Sequence, residues 1–254
     1  MKAIKFIAAL ILAIPIMSLK NPDPKEITIA AASDLKFALD SVIANFKTAN
    51  PGNDIKVVYG SSGKLSEQIS NDAPFDIFFS ADISYPQLLK AKGQTISDIR
   101  TYGIGRIVLW SKKLDPNKDK MNSLLDPSII KISIADPAHA PYGQRAEESM
   151  KYYKVYDKVK DKLVMGENIS QAAQFVTSGA ADIGIIALSL ALSPTMQKEG
   201  GKYYIIPQES HTKLEQAFVV LKHAEGNDLA KSFTDYMSSS SAKSILKFYG
   251  FSDK

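Results

Sequence analysis

The chain is expected to be an α/β protein, with strands forming a sheet that helices cover on both faces. Three observations carry that expectation. Apolar strand-like runs alternate with amphipathic helical runs along most of the 254 residues, a pattern that builds parallel sheets. Strands meet helices at corners containing serine, asparagine or glycine, the residue types favoured at helix N-termini. With 45% hydrophobic and 23% charged residues, the chain can bury a full core, as one large domain or two modest ones.

Residues 1–20 read as a secretory signal. Lys2 and Lys5 precede an apolar run, residues 6–17, that is short for a membrane span and holds Pro15 near its end. Ile16, two before Ser18, fits the small-residue cleavage pattern poorly, so an uncleaved anchor is the alternative. Either way the remainder is expected to be exported. Asn21-Pro-Asp-Pro24 reads as a linker.

Residues 27–32 form the first strand, and Leu35, Ala38, Leu39, Val42 and Phe46 recur at helical spacing. A helix beginning near Asp34 puts Ser33 at its N-cap. First-turn amides lack partners within their helix and sit at the positive end of its dipole, so a small anion is a natural occupant. The pattern repeats at residues 54–59, where Gly60-Ser-Ser-Gly-Lys-Leu65 leads into a second helix. Its glycines let backbone approach a ligand closely. This corner is neither a phosphate-binding P-loop nor a nucleophile elbow. Leu65 stands where the first needs Ser or Thr, and Lys64 where the second needs its last glycine.

Residues 75–79 read as a buried strand, 84–92 as a helix capped by Ser84, 105–111 as a strand and 112–122 as a surface loop. Residues 131–135 form a further strand, followed by Asp136-Pro-Ala-His-Ala-Pro-Tyr-Gly143 and a helix with Pro141 in its first turn. After a short strand at 162–165, Asn168 and Gln171 have the spacing of a capping box. Strands are expected at 181–187, 203–206 and 214–221, the last able to return to the first domain, and two helices within 227–248.

The formal charge is +4, and without Lys2, Lys5 and Lys20 there remain 28 basic against 27 acidic residues. No global field would attract nucleic acid or an anionic membrane. The absence of cysteine excludes disulfides, thiolate metal sites, a cysteine nucleophile and a lipid anchor on an N-terminal cysteine. His211 and His223 have no metal-binding spacing. A secreted hydrolase using Ser33 or Ser62 with His139 as base is the alternative of another class. It lacks a recognisable elbow.

Ala31-Ala-Ser-Asp-Leu35, Gly60-Ser-Ser-Gly-Lys-Leu65, Ala73-Pro-Phe-Asp-Ile-Phe-Phe-Ser-Ala-Asp82, Asp136-Pro-Ala-His-Ala-Pro-Tyr-Gly143 and Tyr249-Gly-Phe251 together resemble the periplasmic molybdate-binding component of the molybdate ABC importer. The resemblance runs from about residue 27 to 251. It implies a type II periplasmic binding protein fold, with two α/β lobes, a hinge and a ligand cleft. The lobes would comprise residues 26–104 with 217–254, and 105–216. It also implies capture of molybdate, and tungstate with it, by lobe closure and delivery to a membrane permease, without catalysis or cofactor, by a monomer. The metal of the oxyanion would have no direct protein ligand.

Carried over by position, the resemblance places Ser33, Asp34, Ser62, Tyr142 and Ile169 at the oxyanion, the last two through backbone N–H groups. A tyrosine that many members use is Ala187 here, and the hydroxyl of Tyr142 is expected to replace it. Asp34 should turn its carboxylate away from a dianion. Such a shell of neutral donors should hold molybdate and tungstate alike and sulfate at least about 100-fold more weakly, because a smaller ion leaves desolvated donors unpaired. A sulfate-binding protein of the same fold is the alternative.

Overall fold

A computed structural model describes residues 26–252. The expected signal of residues 1–20 and the linker after it lie outside the described residues. In chain order the strands are β1 (Glu26–Ala32), β2 (Asp54–Gly60), β3 (Ile77–Ser80), β4 (Arg100–Gly105), β5 (Ile107–Ser111), β6 (Ile132–Ala135), β7 (Leu163–Gly166), β8 (Ile183–Ala187), β9 (Lys202–Ile205) and β10 (Leu214–Val220). The helices are α1 (Lys36–Ala49), α2 (Ser62–Ser70), α3 (Ser84–Ala91), α4 (Pro116–Asp119), α5 (Pro141–Tyr152), α6 (Tyr156–Val159), α7 (Ile169–Thr177), α8 (Leu188–Ala191), α9 (Pro194–Lys198), α10 (Asp228–Tyr236) and α11 (Ser240–Phe248).

The strands form two sheets, ordered β2-β1-β3-β10-β4 and β7-β6-β8-β5-β9. The apolar residues of β1 alternate in what they pack against. Ile27, Ile29 and Ala31 join a cluster with Leu39, Val42 and Phe46 of α1 and Phe233 of α10, while Ala30 faces Leu65, Phe78 and Leu89 on the other side. That period of two is what a sheet covered on both faces requires. The second sheet has its own core around Trp110, Ile134, Ile185 and Ala172.

Neither sheet is wholly parallel, contrary to expectation. β1 runs parallel to β2 and β3, but β10 is antiparallel to β3 and β4. β6 is parallel to β7 and β8, but β5 is antiparallel to β8 and β9. The cause is the crossing between sheets. A strand arriving from the other lobe starts where the parallel strands end, so it must run against them. Ile107, the first residue of β5, accordingly pairs with Ala187, the last of β8, and Leu214 at the start of β10 pairs with Gly105 at the end of β4. The expected single strand at 105–111 is split at Arg106 between the two sheets. The expected loop at 112–122 holds α4, which Asp115 caps by accepting from the Asn117 N–H. Ser84 does not cap α3; the Asp82 carboxylate accepts from the Ser84 amide instead, at 2.9 Å.

Candidate functional site

At the end of β1 the chain takes a tight 3-10 turn, Ser33–Leu35, before α1 begins at Lys36. Ser33 therefore does not cap its own helix. Its hydroxyl crosses the cleft, donating to Asn168 Oδ1 at 3.1 Å and accepting from the Ser170 N–H at 3.3 Å. The Ser170 hydroxyl returns a bond to the Ser33 carbonyl at 2.9 Å. The expected cap on α7 is present, since Asn168 Oδ1 also accepts from the Gln171 N–H at 3.1 Å. Gln171 answers through its side chain to the amide of Glu167, one residue before the cap. Ser33 is thus a second cap for α7, supplied by the other lobe. Ile169 opens that helix, so its N–H has no carbonyl of its own helix to meet.

Ser62 opens α2, and its hydroxyl accepts from the Ala81 N–H at 3.0 Å, which fixes the oxygen and leaves its proton for another acceptor. Beside it Ser61 meets His139 Nδ1 across the cleft at 3.0 Å, and the Gly63 N–H donates to the His139 carbonyl at 2.9 Å. His139 therefore faces Ser61. The pairing with Ser33 or Ser62 expected of a hydrolase is not formed. The Lys64–Glu167 pair also bridges this rim, with both side chains substantially exposed, where such a pair stabilises little.

The carboxylate of Asp34 is buried between the lobes. Its Oδ2 accepts from the Tyr142 hydroxyl and from Gln216 Nε2, both at 2.9 Å, while Oδ1 has no hydrogen-bond partner. Gln216 Nε2 also donates to the Tyr142 oxygen at 2.9 Å, and Gln216 Oε1 accepts from Tyr102 at 2.6 Å. Desolvation pushes the Asp34 carboxyl up to about 6, against the pull of the Gln216 and Tyr142 hydrogen bonds. Burial, and then the charge of Asp34, raises both phenols well above their ordinary value. Tyr142 has one proton and gives it to Asp34, so its hydroxyl does not replace the tyrosine missing at Ala187. A Cβ at Gly105 would lie 2.4 Å from Gln216 Nε2 and 2.5 Å from the Tyr142 hydroxyl; only a glycine at the hinge lets this network close.

Ser33, Asp34, Ser62, Tyr142 and Ile169 line one small cavity of about 10 Å³ with Gly60, Ser61, Ala81 and Ala140. It excludes drug-sized molecules, whose sites occupy about 300–1,000 Å³. Among the described residues no lysine or arginine lines it. Behind it, Arg145 of α5 pairs with Asp82 after β3 at 2.6 Å, both side chains largely buried, and with Glu148 at 2.8 Å. Among the described residues no group of three or more His, Cys, Asp or Glu is placed to hold a metal ion.

Gln216, Asn168 Oδ1 as the partner of Ser33, and Ser189, whose hydroxyl donates to the Asp34 carbonyl at 2.8 Å, were not expected at the site. Gln216 did leave a signal, as an uncharged polar residue directly before the apolar run 217–220 of β10. The others depend on contacts between residues more than a hundred positions apart.

A family model described as bacterial extracellular solute-binding protein matches residues 27–252. The chain is 34% identical over 229 residues to the molybdate-binding protein ModA of Rhodobacter capsulatus, covering 89% of this chain and 88% of that one. It is similar to the solved periplasmic molybdate-binding protein of Azotobacter vinelandii, with a TM-score of 0.83, 28% identity, and coverage of 90% and 99% of the two chains. The sulfate-binding protein SubI of Mycobacterium tuberculosis shares the fold at 17% identity, with a TM-score of 0.73 and coverage of 89% and 86%.

Proposed function

The chain belongs to the bacterial extracellular solute-binding proteins, and from that membership we propose that it captures molybdate, and tungstate with it, in the periplasm and hands it to the membrane permease of an ABC importer. The observation that carries this reading is the cavity, where two strand-to-helix corners from each sheet converge and, among the described residues, no basic side chain is present. Fixed hydroxyls and backbone N–H groups neutralise a dianion through oriented dipoles. Ser62 has its oxygen anchored and its proton uncommitted, and Ile169 and Tyr142 lie in the first turns of α7 and α5. Asp34 enters through its backbone, its side chain being held by Tyr142 and Gln216. The role is binding, without a reaction. The export expected from the N-terminal residues and the relatives' periplasmic setting support the location.

The lobes are taken as residues 26–104 with 217–254, and 105–216, with the crossing near Gly105 and Leu214. Contacts such as Ser33–Asn168 and Gly63–His139 exist only when the lobes meet, so ligand should favour the closed form.

Calorimetric titration with molybdate, tungstate, sulfate and phosphate, paired with small-angle scattering, tests this. Molybdate and tungstate should bind alike and compact the molecule, with sulfate at least about 100-fold weaker, roughly 2.7 kcal/mol. Sulfate within about tenfold of molybdate would move the reading to a sulfate-binding protein of this fold.

A further inference from the structure

We propose that Asp34 takes up one proton when the oxyanion binds, so that the closed cavity holds a dianion beside a neutral carboxylic acid. The inference rests on the oxyanion-binding reading above. It starts from the acidic residue among those lining the cavity: Asp34 offers its backbone there, and its carboxylate, an acceptor only, is buried close behind, held by Tyr142 and Gln216.

Asp34 cannot retreat from the ligand. The residue is 1% exposed, Tyr142 and Gln216 grip Oδ2, and Ser189 holds its carbonyl. Two like charges in one desolvated cavity repel far more strongly than in water. The cheapest relief is a proton on Oδ1, the oxygen without a hydrogen-bond partner, because neither bond to Oδ2 need break. The proton comes from solvent and the Oδ1–H bond is the one bond formed.

The groups around Asp34 leave no other acceptor or source for that proton. The titratable groups facing it are the phenols of Tyr142 on α5 and Tyr102 on β4, both held protonated at neutral pH by burial. β10 presents the neutral amide of Gln216 and α8 presents Ser189, while the start of α7 presents the neutral Ser170 and its cap Asn168 to the adjoining Ser33. Without ligand, burial has already raised the carboxyl to about 6, so the dianion acts on an acid that holds its proton more tightly than a free carboxyl, and its charge raises that hold further.

The test is calorimetry of the full mature chain with molybdate at about pH 7.5, in two buffers of different ionisation enthalpy, and affinity measured between about pH 6.5 and 8.5. About one proton should be taken up per ion, and affinity should fall towards tenfold per pH unit, the slope for one linked proton. Asp34→Asn, which mimics the neutral acid, should bind with no proton uptake, lose the pH dependence and exceed the parent in affinity at the alkaline end. Buffer-independent heats and a flat profile for the parent would overturn the inference, as would an Asp34→Asn variant that keeps the parent's proton uptake. The parent's proton count decides the matter if the variant does not fold. Binding without proton uptake removes this inference alone, whereas no binding of any oxyanion removes the functional reading.

Discussion

Ser33 and Ser62 look alike in sequence, as serines between a strand and a helix, yet their hydroxyls do different work. Ser33 spans the cleft to α7 and Ser62 is anchored by Ala81 within its own lobe. Ser62→Ala should weaken molybdate binding by about 1.5–3 kcal/mol, the range for a hydrogen bond to a charged group, and Ser33→Ala by about 0.5–1.5 kcal/mol, through the lost cross-cleft bonds to Asn168 and Ser170 that form on closure. Ser62→Ala should also lower the unfolding midpoint, since it strands the Ala81 N–H at a cost of about 1–3 kcal/mol. Parental affinity in both variants would remove them from the site. Gly63 makes a separate prediction. A Cβ there would meet the His139 carbonyl oxygen at 2.6 Å across the cleft, while the residue itself lies in α2, where alanine is favoured over glycine by up to about 1 kcal/mol. Gly63→Ala should keep or raise the melting temperature yet lose at least about tenfold in affinity, or ~1.4 kcal/mol. A parental titration would show that closure tolerates the methyl group.

Among the elements, α7 has the most to lose from one side chain. Asn168 closes its N-terminus at the Gln171 amide and receives Ser33 from the opposite lobe. Asn168→Ala should cost about 0.5–2 kcal/mol through the cap, read as a lower denaturant midpoint, and weaken ligand binding as well. A loss of stability with affinity unchanged would mean that the cross-cleft bond contributes nothing to closure. α7 was legible because its cap, capping-box glutamine and apolar stripe of Ala172, Ala173 and Val176 are all local. The 3-10 turn at Ser33–Leu35 was not. Helical spacing continues smoothly from Leu35 into α1, and nothing local states that the turn tightens to send Ser33 towards the other lobe.

For the whole molecule, the ionisation of Asp34 acts on the contact between lobes. Its folded-state pKa is raised to about 6 from 3.8, so the folded protein holds this proton more tightly than the unfolded chain does. The contribution is most favourable below the unfolded value and is lost as pH rises through the folded one, by up to about 3 kcal/mol. Asp34→Asn, free of that loss, should gain stability relative to the parent as pH rises from about 4 to 8, by no more than this amount. Urea denaturation at the two ends of the range would show it. A gap of constant size would mean that Asp34 titrates normally.

The sequence by itself determined the alternation of strands and helices, their corners, and which serines stand at them, because apolar periodicity and turn chemistry are local properties. It also determined the solute-binding family, through motifs spread over most of the chain. Only the tertiary structure decided that the sheets are mixed, since strand direction depends on where the chain crosses the hinge. Only it turned Ser33 from a local cap into a bridge to Asn168 and Ser170, and committed the Tyr142 hydroxyl to Asp34 instead of the ligand. Those outcomes depend on partners 108 to 137 positions away, and a side chain's hydrogen bonds go to whichever donor or acceptor the closed lobes bring within reach.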